Sequence, residues 1–171
     1  IIVYDIEKYA TSGELIIIDK SDNVTRIARN AFQDDFKVSP DGKHIAYIER
    51  DSSEEMLYVV EAGGNNEEKI TSANYLTYQF SPDGKSIVYL DHENQVDTGT
   101  LYISDLEGND ERIARDVWSF MTGDVIVYSV LEDGEIYNDP ESVIYSIKYN
   151  GKGEKELSDM IDGLISFFVV D

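Results

Sequence analysis

Cysteine is absent from this chain of 171 residues, which excludes disulfides and cysteine-rich metal centres while leaving the compartment open. Histidine occurs twice and tryptophan once, so imidazole for a metal ligand set or acid–base work is scarce, while carboxylates are so abundant that no particular pair of them is informative. Basic residues are few: 14 Lys and Arg stand against 35 Asp and Glu, a net charge of −21. A surface that negative repels nucleic acid phosphates and anionic lipid heads and favours basic proteins or peptides. A plainer use of the same acid is solubility and the protection of sheet edges. No apolar run is long enough to span a bilayer, and no segment shows a helical period. There is no Gly-x-Ser-x-Gly elbow, no His-Glu-x-x-His helix and no Gly-rich phosphate loop.

What is present is a repeat. Val38-Ser39-Pro40-Asp41-Gly42-Lys43-His44-Ile45-Ala46-Tyr47 returns 42 residues later as Phe80-Ser81-Pro82-Asp83-Gly84-Lys85-Ser86-Ile87-Val88-Tyr89. The closing run also occurs as Ile2-Val3-Tyr4 and Ile126-Val127-Tyr128. A second run recurs as Leu15-Ile16-Ile17-Ile18, Leu57-Tyr58-Val59-Val60, Leu101-Tyr102-Ile103-Ser104 and Ile144-Tyr145-Ser146-Ile147. Short β-branched and aromatic runs bounded by Gly, Asn, Asp or Ser predict strands. A period of roughly 40–45 residues is the length of one four-stranded propeller blade. In Ser-Pro-Asp-Gly-Lys, proline presets φ, aspartate bonds its own backbone and glycine accepts positive φ, so the motif predicts a hairpin turn. Asp22, Gly64, Gly108 and Gly151 mark the tip of a second hairpin. The third copy reads Phe120-Met121-Thr122-Gly123-Asp124, a variant turn that keeps the glycine and loses the proline.

These residues resemble the TolB-type, WD-like propeller repeats, in which Phe or Val, Ser-Pro-Asp-Gly-Lys and an Ile-Ala-Tyr strand recur blade by blade. The resemblance covers nearly the whole chain. It implies an all-β propeller of four-stranded antiparallel blades, with innermost strand a first and outermost strand d last around a central axis. It is poor for function, because similar blades occur in periplasmic TolB, in the gating propellers of prolyl-oligopeptidase-like enzymes and in bacterial surface proteins. None of those families' dedicated functional residues can be matched here.

On this frame, one domain over 1–171 divides into repeats near 1–31, 32–74, 75–116 and 117–162, with 163–171 as a terminal strand. The chain opens at strand b of its first copy and ends with an a-like run, Leu164-Ile165-Ser166-Phe167. Either that run completes the first blade and closes a ring of about four, or the copies belong to a larger propeller. Matched termini favour closure narrowly; the greater blade number usual in TolB-like proteins favours the rival. The chain begins in mid-pattern without Met or a signal sequence, so a longer polypeptide is expected. An extracytoplasmic bacterial setting, periplasmic or cell-surface, goes with the resemblance.

In such blades the b–c and d–a connections emerge at one end, and the short a–b and c–d hairpins at the other. The b–c connections vary, over 6–13, 49–55, 91–100 and 129–143, and variable connections on a fixed scaffold are where binding usually resides. The candidate face is Asp51, Glu54, Asp91, Glu93, Asp97, Glu132, Asp133, Glu135 and Tyr137, with Glu55 and Glu141 adding to its charge. Its longest loop also offers Ile136, Tyr137 and Pro140 as an apolar tip; the plainer alternative is a solvated loop with one packed aromatic. His92 is expected in a variable loop without the spaced partners of a ligand set, and His44 at an exposed turn position. The acidic stretches at 19–23 and 105–110 lack calcium-loop spacing and are read as hairpin turns. Trp118 and Phe120 are expected to pack between blades, ligand stacking in the channel being the alternative. The reading is a non-catalytic binding module with no cofactor and no metal. Its partner is a protein or peptide of basic character, without nucleic acid and without direct membrane insertion. The alternatives are a substrate-gating accessory of a larger hydrolase and a surface spacer with no specific ligand.

Overall fold

A computed structural model describes residues 2–5, 12–51, 53–92, 98–135 and 138–167. Fourteen strands and no helix occur among them. In chain order these are β1 (Ile2–Asp5), β2 (Ser12–Ile18), β3 (Val24–Val38), β4 (His44–Arg50), β5 (Glu55–Glu61), β6 (Glu68–Ala73) and β7 (Tyr75–Phe80). There follow β8 (Ser86–His92), β9 (Gly99–Asp105), β10 (Asp110–Thr122), β11 (Ile126–Glu135), β12 (Asn138–Ile147), β13 (Lys155–Glu156) and β14 (Ile161–Asp162). Neighbours in sequence are neighbours in the sheet from β1 to β6 and again from β7 to β13, and β14 runs along β12.

Two strands are unusually long, β3 at 15 residues and β10 at 13. Each serves two repeats. The first part of β3 pairs with β2 and its last residues with β4; β10 pairs first with β9 and then with β11. Register shifts mark both changeovers, between Ala31 and Phe36 and around Val117. Strand d of one repeat therefore continues into strand a of the next with no loop between them.

Side-chain alternation along the b strands stacks the repeats. In β4, Ile45 and Tyr47 join Leu15, Ile27, Ala28 and Ala31 of the preceding repeat. Ala46 and Ile48, on the other face, meet Leu76, Tyr78, Phe80, Ile87 and Tyr89 of the following one. In β8 the same division recurs, with Val88 and Leu90 packed forward onto Val117, Phe120, Ile126 and Tyr128. Both faces of a middle repeat are buried, so its b strand is a continuous apolar run. Each fully buried Ile or Leu contributes about 1.5–3 kcal/mol of burial energy.

The repeated turns are built alike. Ser39 Oγ donates to Asp41 Oδ1 at 2.7 Å, and the same oxygen accepts the Lys43 amide at 3.1 Å. The His44 amide donates to Ser39 Oγ at 2.9 Å. Ser81, Asp83, Lys85 and Ser86 reproduce this network at 2.7, 3.1 and 3.0 Å. At the opposite hairpins, Asp19 Oδ1 accepts the Ser21 and Asn23 amides, and Asp105 Oδ1 those of Glu107 and Asn109. The two acidic stretches are thus hairpin turns held by their own aspartates. At the tip, Gly64 has φ +79°, and a Cβ there would meet Thr25 Cγ2 of the preceding repeat at 2.5 Å. Glycine is required at that tip for conformation and for packing together.

These aspartates make acid a destabilising condition. The serine hydroxyl, then the lysine amide, holds the carboxyls of Asp41 and Asp83 below the usual range. The Asn23 and Asn109 amides do the same for Asp19 and Asp105. A carboxyl depressed in the folded state contributes stability above its unfolded value of about 3.9 and loses it as pH falls through the folded value. Neutralising the excess negative charge acts the other way at milder acidity. Thermal melts should therefore show stability level or rising from about pH 7 to 5, then falling below about pH 4. A melting temperature still climbing at about pH 3 would refute this.

Several expectations need correction. The 129–143 connection is mostly strand: Leu131, Asp133 and Glu135 pair with Ser142, Glu141 and Asn138 in a prolonged β11–β12 ladder. That ladder gives partners to backbone groups that a free loop would leave to water. His44 is no exposed turn residue; it is half-buried, opens β4 and faces Glu61 across the pair. The a-like run at 164–167 carries no strand among the described residues. Instead the Ile165 carbonyl accepts the Ser119 and Ser129 hydroxyls at 2.5 and 2.9 Å, which holds the run beside β10 and β11.

Candidate functional site

Much of the acid serves the fold. Each middle b-strand tyrosine stacks on a c-strand tyrosine: Tyr47 on Tyr58 at 5.5 Å, Tyr89 on Tyr102 at 5.2 Å, and Tyr128 on Tyr145 at 5.7 Å. Each also donates its hydroxyl to a carboxylate where the chain enters the d strand. Tyr47 reaches Glu67 at 2.5 Å, Tyr89 reaches Asp110 at 2.6 Å, and Tyr128 reaches Glu154. Burial first, and the neighbouring carboxylate second, push these three hydroxyls far above the normal tyrosine range. They remain donors at any physiological pH.

Glu55 also belongs to the structure and not to a solvated loop. It is 2 % exposed. One carboxylate oxygen pairs with Arg50, and the other accepts the Leu76 amide at 2.6 Å. The Arg50 guanidinium lies 3.9 Å over the Phe32 ring. This cluster links β4 and β5 to β7, across the boundary between the middle repeats.

The remaining acidic candidates among the described residues lie at the end of the sheets where b turns into c. Asp51 and Glu54 are exposed in the turn joining β4 to β5, where Asp51 Oδ1 accepts the Ser53 amide at 3.0 Å. Asp91 is half-buried within β8, opposite Thr100, and so sits in a strand, not in the expected connection. Glu132 is exposed on β11 and accepts the Tyr145 hydroxyl at 2.9 Å. Burial and this carboxylate push Tyr145 up to about 12. Asp133 and Glu135 occupy the β11 extension opposite Glu141 and Asn138. Glu93, Asp97 and Tyr137 lie outside the described residues. At the same end Glu141 and Asp162 stand directly opposed on β12 and β14, beside a cavity of about 560 Å³. Like charges so placed destabilise unless a cation or basic side chain relieves them.

His92 is not in a loop. It is 6 % exposed at the end of β8, with its ring 5.7 Å from that of Tyr75. Opposite it, a Cβ on Gly99 would collide with the Asp91 carbonyl oxygen, so the strands close tightly here.

A second feature lies along the inner strands. β3, β7 and β10 together border a cavity of about 380 Å³. Alternation in β7 buries Leu76, Tyr78 and Phe80 and leaves Tyr75, Thr77 and Gln79 on the more accessible face, which borders the cavity. Phe120 joins the core between repeats, as expected, while Trp118 stays half-buried on the cavity wall. Lys37 enters from β3; its Nζ donates to the Tyr78 carbonyl at 2.6 Å and lies 4.2 Å over the Tyr78 ring centroid. The side chain keeps contact with solvent, yet loss of water around the ammonium pulls its pKa down, against the opposing pull of Asp35. Gln79 Oε1 accepts the Thr122 amide and hydroxyl, both at 3.0 Å, tying β7 to the variant turn. The polar stripe Tyr75-x-Thr77-x-Gln79 is the sequence signal that could have revealed this wall.

No protein-family model and no curated protein sequence matches the chain. Among solved structures it is similar to the β-propeller domain of the trilobed protease from Pyrococcus furiosus. The identity is 18% and the TM-score 0.61, over 86% of this chain and 49% of that one. An acylaminoacyl peptidase from Pyrococcus horikoshii aligns at 19% identity and TM-score 0.57, over 86% and 28% of the two chains. TolB from Acinetobacter baumannii aligns at 22% and 0.50, over 87% and 39%. The chain thus spans less than half the length of each of these three structures. Likeness at this identity carries architecture and not activity. With stacked antiparallel sheets and no helix among the described residues, the chain has a β-propeller fold.

Proposed function

We propose that the chain is a non-catalytic binding module that receives a protein or peptide segment of basic character. The segment lies across the end of the sheets where b turns into c, over the cavity between the inner strands. That cavity is the observation that carries the reading: half-buried aromatic rings alternate there with polar side chains, among them Tyr75, Thr77 and Lys37. Glu54 and the opposed pair Glu141 and Asp162 supply negative potential at the end of the sheets where b turns into c, which steers basic segments and disfavours nucleic acid. An extracytoplasmic bacterial setting belongs to the same reading. Likeness to peptidase propellers supports a second role, gating substrate for a hydrolase in a longer polypeptide.

Fluorescence anisotropy with a labelled Lys-rich dodecapeptide and its Glu-rich counterpart tests the proposal. The cationic peptide should bind, and its affinity should fall about tenfold or more between roughly 20 and 200 mM salt. Asp51→Lys combined with Glu54→Lys should weaken it further. Equal binding of both peptides, or of neither, would refute the module.

A further inference from the structure

We infer that the cavity between the inner strands takes the C-terminal carboxylate of the bound peptide, with Lys37 as its charge partner and Trp118 as the platform for the last side chain. The inference rests on the peptide-binding reading and narrows it to one end of the peptide.

The wall offers donors and few acceptors. Lys37 has three N–H groups, of which the Tyr78 carbonyl takes one. The Trp118 indole N–H and the Tyr75 and Thr77 hydroxyls have no protein partner among the described residues, and ammonium and indole can only donate. Two of the wall's acceptors are already engaged. Gln79 Oε1 holds both donors of Thr122, and the Ser119 hydroxyl is turned to the Ile165 carbonyl. None of the residues lining the cavity is Asp or Glu, in a chain that carries 35 of them.

The complement of such a wall is a group with two acceptor oxygens and a negative charge. Charge-assisted bonds to a carboxylate are about twice as strong as neutral ones. A free small anion meets an opposing field from a protein of net charge −21. A peptide with basic residues is drawn to the acidic end and delivers its terminal carboxylate inward. The volume, about 380 Å³, is at the small end of ligand pockets, which span about 300–1,000 Å³. It suits a terminal residue and not a folded partner.

Trp118 is the chain's single tryptophan, so intrinsic emission reports on this wall directly. Emission is titrated with N-acetyl-Lys-Ser-Lys-Leu as the free acid, with its C-terminal amide, and with acetate. The free acid should shift the emission and bind about tenfold tighter than the amide. Lys37→Met should abolish that difference between acid and amide, and Thr77→Val should narrow it. Equal affinities of acid and amide in the unmodified chain would overturn the carboxylate inference while leaving the module standing. A response to acetate at the same concentration as the peptide would reduce the site to an adventitious anion position. Loss of all peptide binding, by emission and by anisotropy, would remove both readings.

Discussion

Glu55→Ala should lower the unfolding free energy by about 3 kcal/mol, the lower end of the range for breaking a buried ion pair. The carboxylate is 2 % exposed, and both of its oxygens are engaged. Its removal strands the Leu76 amide without an acceptor, which by itself costs about 1–3 kcal/mol. It also leaves the Arg50 guanidinium over Phe32 without a counter-charge. Arg50 keeps 35 % of its side-chain surface and can regain water, which is why the upper end of the range is not expected. Glu55→Gln preserves an acceptor for Leu76 and should cost less. Urea unfolding of Glu55→Ala, Arg50→Ala and the double variant should give a coupling energy of about 1.5 kcal/mol or more. A cost below about 1 kcal/mol for Glu55→Ala would show that the cluster adds little.

Leu90→Ser should cost about 4 kcal/mol or more, combining the loss of a buried leucine with a hydroxyl that finds no partner. Leu90 is 1 % exposed, packed against β10 and β11 of the following repeat. The corresponding position of the preceding repeat is Ile48, and that of the last repeat is Ser129. Ser129 is fully buried, yet its hydroxyl meets the Ile165 carbonyl at 2.9 Å and lies 3.1 Å from Ser119 Oγ. Because Ser119 also bonds that carbonyl, Ser129→Ala should cost only about 1 kcal/mol. One repeat position thus carries an apolar contact twice and a polar one once, according to what covers it. Thermal and urea unfolding of both variants checks the contrast; equal costs would mean that the last repeat packs outward like the others.

Repetition made the b and c strands readable, because Ile-x-Tyr and Leu-Tyr-x-x recur with their turns at fixed offsets. Strand d running into strand a was harder to see. The stretch Val24–Val38 mixes charged and small residues, and only pairing on both sides shows it to be one strand. The β11–β12 extension carries Glu, Asp, Gly and Pro in loop-like density, and backbone pairing with a neighbour outweighed that propensity. Glu55 looked solvated because its partners are contributed by β4 and β7, and charge near a turn gives no sign of such neighbours. Glu67, Asp110 and Glu154 each follow their b-strand tyrosine at a comparable distance along the chain, a correlation that would have assigned them to the fold. The inner cavity was half visible: packing between blades and stacking in the channel were both open for Trp118, and which way a residue of an innermost strand turns depends on the neighbouring repeat.

The unbroken passage of β3 and β10 from one repeat into the next limits how this chain can change in length. Side chains along a strand alternate faces, so one residue added or lost inside these segments would turn the following strand inside out. Tolerance for insertion should be greatest at hairpin tips, and the joints inside β3 and β10 should accept substitution more readily than indels.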